Sequence, residues 1–475
     1  MFEPADSREA KEYTKIAFDV SERFDTPVFL RSTTRVSHSQ SIVLLDDRVE
    51  SEDKTGIYHD PLKYVMVPAR ARVRRIEVEK RMMKLREYAE SFPGNTMELN
   101  DPEIGIITSG MSYNYAKDVF PHYSYLKLGM VYPLPFDLIR RFASKVNKLY
   151  VVEELDPFFE EAIKALGIEV IGKDIFPYTG EFDPGIVKAS MEGKSSDILD
   201  LPDLSLPPRP PNLCPGCPHR GLFYVLGKLG AFVAGDIGCY TLSFMKPLEG
   251  MDSTICMGAS IGMAHGMSKA LKEKGRGKVV GVIGDSTFTH SGITPLLNMA
   301  YNKSAAVIVI SDNSTTAMTG LQDHAATGMT LQGEVTSKLD FISLATSLGI
   351  ESVRVIDPYD IANTKKVMKE ELGKDCPSLV ISKGACVLLR KKQKEGPVKP
   401  FTVDPAQCIG CKVCLNLGCP AISWKSFTGN DELKIYKKGK KQEGISSINP
   451  VLCTGCTLCR QVCKPEAIGE VKSNG

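Results

Sequence analysis

An aspartate follows one apolar run and an asparagine follows the next. The stretch GDSTFTHSGITPLLNMAYNKSAAVIVISDN, residues 284–313, sets Asp285 just after KVVGVIG and Asn313 just after AAVIVISD. A carboxylate, a side-chain amide oxygen and a nearby backbone carbonyl, that of Thr315, form half of a hard-oxygen shell. Phosphate oxygens and a water would complete an octahedron around Mg²⁺. A different chemistry lies near the C-terminus. CIGCKVCLNLGCP supplies Cys408, Cys411, Cys414 and Cys419, and CTGCTLCRQVCKP supplies Cys453, Cys456, Cys459 and Cys463. Such tight runs favour metal over disulfides, and soft thiolate sulfur suits iron–sulfur clusters or zinc.

For Asp285 and Asn313 to act together, the chain between them must leave one strand and return beside it. SGITPLLNMAYNK reads as the crossover helix of a right-handed βαβ unit, which puts both strand ends on one edge. Ligands of open α/β sheets bind at that carboxyl edge. Further strands are expected at AFVAGD, ESVRVID and PSLVISKG, and their Val/Ile runs fit a parallel sheet covered on both faces. DIGCY and MGAS are small-residue turns that let backbone N–H groups approach a phosphate or a pyrimidine ring, although Gly258 and Gly284 would serve equally to close turns.

The chain has 475 residues, room for three or four domains. Residues 1–45 read as a helix, a short strand TPVFL and the segment RSTTRVSHS, the tail of an α/β unit. Arg31 or Arg35 there would meet a carboxylate or sit in a surface loop. Residues 46–100 form a linker or helical region; the basic stretch 68–90 carries interspersed glutamates and reads as a solvated helix. Residues 101–195 alternate strands (EIGIITSG, YSYLKLGMV, KLYVVEE, IEVIGKD) with helices, a small α/β domain with a parallel sheet. The larger α/β domain spans 210–392 and the cysteine-rich tail 400–472, with linkers at 201–212 and 391–400. Net charge is +2, which makes no case for nucleic acid or an anionic membrane. No apolar run reaches membrane-spanning length and the N-terminus has no signal-peptide character, so a cytoplasmic protein is expected.

The tail spacing matches bacterial two-cluster ferredoxins, in which the fourth cysteine of each run ligates the other cluster. On that pattern Cys408, Cys411, Cys414 and Cys463 hold one [4Fe–4S] cluster, and Cys453, Cys456, Cys459 and Cys419 hold the second. Four residues precede Cys419 where the pattern has three, which adds slack to that loop.

Gly-Asp-Ser followed by Asp-Asn resembles the thiamine diphosphate motif, normally Gly-Asp-Gly then Asn-Asn at a similar spacing. Ser286 stands where that motif has glycine. With LCPGCPHRG (213–221), GDIGCYTL (235–242), CMGASIGMAHG (256–266) and NSTTAMTG (313–320), nearly the whole chain resembles the 2-oxoacid:ferredoxin oxidoreductases, the indolepyruvate-type alpha subunits above all. The resemblance implies an α/β fold of thiamine diphosphate-binding parallel-sheet domains, with a C-terminal two-cluster ferredoxin-like α+β domain. It puts Mg²⁺ on Asp285, Asn313 and Thr315. It puts thiamine diphosphate against Cys217, His219, Asp236, Gly238, Cys239, Gly258, Ala259, Ser260, Gly284, Asp285, Ser286, Asn313, Ala317, Met318 and Thr319. His219 and Arg220 would otherwise serve a substrate carboxylate or proton handling, or form a plain turn. Cys214 and Cys217 alone fit a redox pair or half of a zinc site, and the remaining cysteines look scattered.

The implied activity is oxidative decarboxylation of arylpyruvates such as indolepyruvate. Coenzyme A would take the acyl group, and electrons would pass through both clusters to ferredoxin in an anaerobe. A beta subunit is implied. The family's first domain carries the glutamate that activates the cofactor, and no segment here matches it. A separate chain would supply it, or the protein would start upstream of Met1. A pyruvate or 2-oxoglutarate specificity, an electron-transfer subunit with a vestigial thiamine site, and non-oxidative decarboxylation are the alternatives.

Overall fold

The computed structural model describes residues 1–47, 59–194, 210–392, 399–427 and 442–470. Residues 201–209 and 393–398, most of the two expected linkers, lie outside them. The chain divides into two compact units, Met1–Leu206 and Pro207–Gly475.

In the first unit, helix Ser7–Phe24 starts where the Asp6 side chain accepts the Glu9 N–H at 2.8 Å. Tyr13 and Val20 of this helix pack with Leu85 and Ala89 of helix Pro68–Glu90, and with Phe2, Phe92 and Met130. The basic stretch is therefore one helix with a buried stripe near its end. Four strands follow: β1 (Thr96–Glu98), β2 (Ile104–Ser109), β3 (Ser124–Leu128) and β4 (Lys148–Val152), in the order β1-β3-β2-β4. β2 runs parallel to β3 and β4, but β1 pairs antiparallel with the open edge of β3, so this sheet is mixed where a parallel one was expected.

Two expected strands do not form. TPVFL contributes only the bridge between Leu30 and Phe2, and Pro27 has no N–H to offer a ladder. IEVIGKD contributes only the bridge between Ile171 and Tyr150. Its Lys173 N–H goes instead to the Glu160 carboxylate at 2.7 Å, and a Cβ on Gly172 would sit 2.3 Å from that carboxylate. Arg31 and Arg35 do meet carboxylates, the protein's own Glu3 and Glu181, at 2.7 and 2.6 Å.

The second unit holds β5 (Phe232–Ala234), β6 (Val279–Gly284), β7 (Val307–Asp312), β8 (Ser352–Ile356) and β9 (Ser378–Lys383) in one parallel sheet, order β5-β6-β7-β9-β8. Side chains alternate between its faces. Val280, Val282, Val307 and Val309 pack under helices His219–Leu229 and Ile361–Leu372. Ile283, Ile308 and Ile310 pack with Ile261, Leu296 and Ala345 on the other side. Both faces are covered, which is why these strands read as unbroken apolar runs.

The tail pairs β10 (Phe401–Val403) with β13 (Ile468–Glu470), and β11 (Ile422–Ser426) with β12 (Gly444–Ile448), both antiparallel. With the short helices Val413–Leu417 and Leu458–Val462 it makes the expected α+β ferredoxin-like domain. Its own core is small, Phe401, Leu417, Ile448, Leu458 and Ile468 with Cys414 and Cys459, and it packs on Tyr224, Tyr359 and Ile361 of the larger α/β part. Tyr359 donates its hydroxyl to the Gly216 carbonyl at 2.7 Å, and Gln461 bonds Tyr359 and Ile361 at 2.6 and 3.0 Å. Among the described residues no helix is long and apolar enough to cross a membrane.

Gly221 lies at this junction. A Cβ there would stand 1.9 Å from the Pro358 carbonyl oxygen and 3.1 Å from Leu458. Gly221→Ala gains about 1 kcal/mol of helix propensity, but the backbone oxygen cannot yield cheaply, and overpacking costs about 1–3 kcal/mol or more. The variant should unfold at lower denaturant than the parent chain, as a urea titration would show.

Candidate functional site

β6 and β7 are neighbours, with Gly284 opposite Ser311, so Asp285 and Asn313 leave the sheet side by side. Asp285 is buried and begins a short helix; its two carboxylate oxygens accept the N–H groups of Ser286 and Ser314, each at 2.8 Å. Ser314 adopts the left-handed conformation, φ 62°, which turns the chain back toward Asp285. Asn313 and Thr315 are both buried, and the Asn313 side-chain oxygen accepts the Thr315 N–H at 3.3 Å. The three expected metal ligands thus occupy one strand-end corner.

Two further residues belong to that corner. Asp312 accepts the Ser314 N–H at 3.0 Å, and burial and the adjacent Asp285 carboxylate push its acidity weaker than usual. His324 Nε2 lies 3.3 Å from an Asp285 oxygen, off the line of a hydrogen bond, and has no partner. Asp312 was visible in the sequence as the first residue of the Asp-Asn pair. His324 gave no signal, because only the path of loop 313–340 brings it here.

His219 is buried, and burial depresses its imidazole to about 4, so it is neutral near pH 7. Its Nε2 is 3.3 Å from the Asn313 amide nitrogen, and its ring stands edge-on to Tyr240 at 5.7 Å. A neutral ring nitrogen accepting from that amide holds the amide oxygen on the opposite side. Tyr240 in turn explains two glycines: a Cβ on Gly238 or Gly284 would stand 2.5 or 2.8 Å from its ring. Gly258 has φ 92°, and a Cβ there would meet the Ser291 hydroxyl at 2.1 Å.

Asp236 is fully buried and bonds its own chain. It accepts the Gly258 N–H at 2.9 and 2.7 Å, the Ile237 N–H at 2.8 Å and the Ser260 hydroxyl at 3.1 Å. It thereby ties the end of β5 to the start of helix Ala259–Leu271. Ala317, Met318 and Thr319 lie in the loop after Thr315, where the Thr319 hydroxyl bonds Gln322 at 2.6 Å and Met318 is half exposed.

Cysteines that look scattered in the sequence are not scattered in the fold. Cys217 packs with Leu213 and Leu248 against Cys214 and Cys239. Burial, then the Cys386 and Cys214 thiols, push Cys239 up, and burial pushes Cys217 to about 12. The Cys386 N–H donates to the Asn313 carbonyl at 3.0 Å, so this thiol group borders the Asp285 corner. The sequence missed the grouping because Cys239 and Cys386 sit after different strands of one sheet.

The tail thiols line two cavities. The inner one is lined by Cys419, Cys453, Cys456 and Cys459, together with Pro215, Gly216 and Arg220 from before the sheet. The outer one is lined by Cys408, Cys411, Cys414 and Cys463 and otherwise by tail residues alone. These are the two quartets expected from the spacing. Among the described residues no three ligating side chains converge on a point that a single ion would occupy. Burial pushes Cys459 to about 12 and raises Cys414, Cys456 and Cys463, so a bound metal would have to displace their protons.

Residues 236–382 match the family described as thiamine pyrophosphate enzyme, C-terminal TPP binding domain. The chain is 38% identical to the indolepyruvate oxidoreductase subunit IorA of Archaeoglobus fulgidus, over 99% of this chain and 77% of that protein. It is 36% identical to the IorA subunit of Thermococcus kodakarensis, with the same coverage. This chain belongs to the indolepyruvate oxidoreductase subunit IorA family. A solved 2-oxoglutarate:ferredoxin oxidoreductase from Magnetococcus marinus is similar over 38% of this chain and 66% of that one, at 18% identity and a TM-score of 0.32, too low to bear on the reading.

In this IorA-family chain the Asp285 corner fits a divalent cation. The buried Asp285 carboxylate lies beside the half-buried Asp312, a ring nitrogen without a hydrogen-bond partner stands next to them, and the donors are hard oxygens. A cation there would offset the repulsion between Asp285 and Asp312. Asp285→Asn keeps the shape and removes the charge. It should weaken Mg²⁺-dependent thiamine diphosphate binding at least about tenfold in calorimetric titration, with the unfolding transition retained.

Proposed function

We propose that the chain is the thiamine diphosphate- and cluster-bearing subunit of an enzyme that oxidatively decarboxylates aryl 2-oxo acids, with coenzyme A as acyl acceptor and ferredoxin as electron acceptor. In the net reaction one 2-oxo acid, one coenzyme A and two oxidised ferredoxins become one acyl-coenzyme A, one CO₂, two reduced ferredoxins and a proton. The observation that carries this reading is a juxtaposition. One chain holds a cation corner at the carboxyl ends of β6 and β7, and a four-thiol cavity lined partly by residues 215, 216 and 220 of the same α/β domain.

Thiamine diphosphate, when bound, supplies the electron sink for losing CO₂ from a 2-oxo acid. Asp285, Asn313 and the Thr315 carbonyl hold its Mg²⁺. His219 fixes the face that Asn313 presents, and the glycines at 238 and 284 make room for the Tyr240 ring against which His219 stands. Cys419, Cys453, Cys456 and Cys459 hold a cluster next to the α/β domain, and Cys408, Cys411, Cys414 and Cys463 hold one toward the outside. The aryl specificity and the second subunit are taken from the named relatives.

The test is anaerobic reduction of a viologen dye with the partner subunit present. Reduction should require arylpyruvate and coenzyme A together. Iron without substrate-dependent reduction would favour an electron-transfer subunit. Faster turnover of pyruvate or 2-oxoglutarate would displace the aryl reading, and an aldehyde product would mean non-oxidative decarboxylation.

A further inference from the structure

The one charged side chain lining the inner cavity is Arg220. It is 1% exposed, among the largest fully buried side chains of the protein. One terminal nitrogen donates to the Leu417 carbonyl at 2.6 Å, and the other to the Leu213 and Cys214 carbonyls at 2.6 and 3.2 Å. All three acceptors are neutral. The groups near it that could carry negative charge are the thiols of Cys419, Cys217, Cys456 and Cys214, with no Asp or Glu paired to it among the described residues. A cation taken this far from water is costly unless an anion balances it. Carbonyl dipoles take hydrogens of both terminal nitrogens but leave its charge uncompensated.

The cavity also holds unmet donors. Arg220 Nε has no partner, and neither does the Thr454 hydroxyl, which lines the same space. The outer cavity differs. Its one cation, Lys412, is about half exposed and lies 3.5 Å from Glu443 and over the Trp424 ring. A buried, unbalanced positive charge therefore belongs to the inner thiols alone.

We propose that Arg220 is the counter-charge of the inner cluster: its guanidinium, assisted by the Thr454 hydroxyl, stabilises the negative charge of an iron–sulfur cluster on Cys419, Cys453, Cys456 and Cys459 and so raises its reduction potential. The proposal rests on the reading that these thiols hold a cluster. Reduction adds one electron to the cluster, breaks no bond and moves no proton. The product carries one more negative charge, so a fixed cation lowers its energy more than that of the oxidised form. The inner cluster then fills before the outer one in a graded reduction.

The experiment is an anaerobic potentiometric titration followed by electron paramagnetic resonance on the full chain with its partner subunit. Cys456→Ser identifies the inner signal and Cys411→Ser the outer one. At the poise that half-reduces the wild-type inner cluster, Arg220→Gln should lower its reduced-to-oxidised ratio at least about tenfold, the order expected for one unit charge acting through a protein interior. The outer signal should stay in place. Arg220→Lys keeps the charge and should retain most of the wild-type potential. Thr454→Val should shift the inner signal the same way by less, and it carries the test if Arg220→Gln does not fold. An unmoved inner potential in the variant that folds, or equal shifts of both signals, overturns the proposal. A wild-type protein without cluster signals would instead overturn the reading of the cavities themselves.

Discussion

The parallel ladder between β6 and β7 is the constraint on which the site depends. It sets Gly284 opposite Ser311, and the residues that follow, Asp285 on one strand and Asp312 and Asn313 on the other, must share a few ångströms of space. Nothing local would hold two carboxylates so close. The sheet does so because Val280, Val282, Val307 and Val309 are sealed on one face and Ile283, Ile308 and Ile310 on the other. Shifting either strand by one residue would expose every one of these side chains to the wrong face. The apolar core thus enforces the proximity of two carboxylates, and burial together with that proximity weakens the acidity of Asp312.

Buried polar groups divide into two kinds, and the division marks what is structural. Asp236 accepts four hydrogen bonds from its own chain and serves to join β5 to the next helix. Glu153 likewise accepts the N–H groups of Phe159 and Glu160, at 2.8 and 2.9 Å. By contrast His324 Nε2, Arg220 Nε and the Thr454 hydroxyl are buried without partners, and all three border the cation corner or the inner thiols. Orphaned buried donors are rare in native proteins because each forfeits its hydration. Other buried atoms without partners, among them the hydroxyls of Tyr13, Ser243 and Ser378, lie elsewhere, so it is the position of these three beside the candidate ligands that singles them out.

The tail is too small to bury a large core of its own, so it depends on what it packs against. Gly221 lets the helix backbone meet Pro358, Tyr359 reaches Gly216, and Arg220 reaches Leu417. Gly216, Arg220 and Leu417, which take part in this docking, also line the inner cavity.

Much of this was legible from the chain alone. Eight cysteines in two runs already suggested two quartets: three of each four share local spacing, and the fourth was assigned from the two-cluster ferredoxin pattern. The central strands of the larger sheet were equally plain, since burial on both faces writes itself as unbroken Val/Ile runs, as in Val279–Gly284 and Val307–Asp312. Asp285 and Asn313 followed from those strands and the handedness of their connection. What the sequence did not contain was proximity between segments with no periodic link: His324 beside Asp285, Cys239 and Cys386 beside Cys214, Arg220 beside Cys419. It also did not show that Lys173 would give its N–H to Glu160 instead of a neighbouring strand, nor that β1 would reverse the edge of the first sheet. Patterns in a sequence report which face of an element is apolar. Which side chains meet when those faces close is decided only by the packed chain.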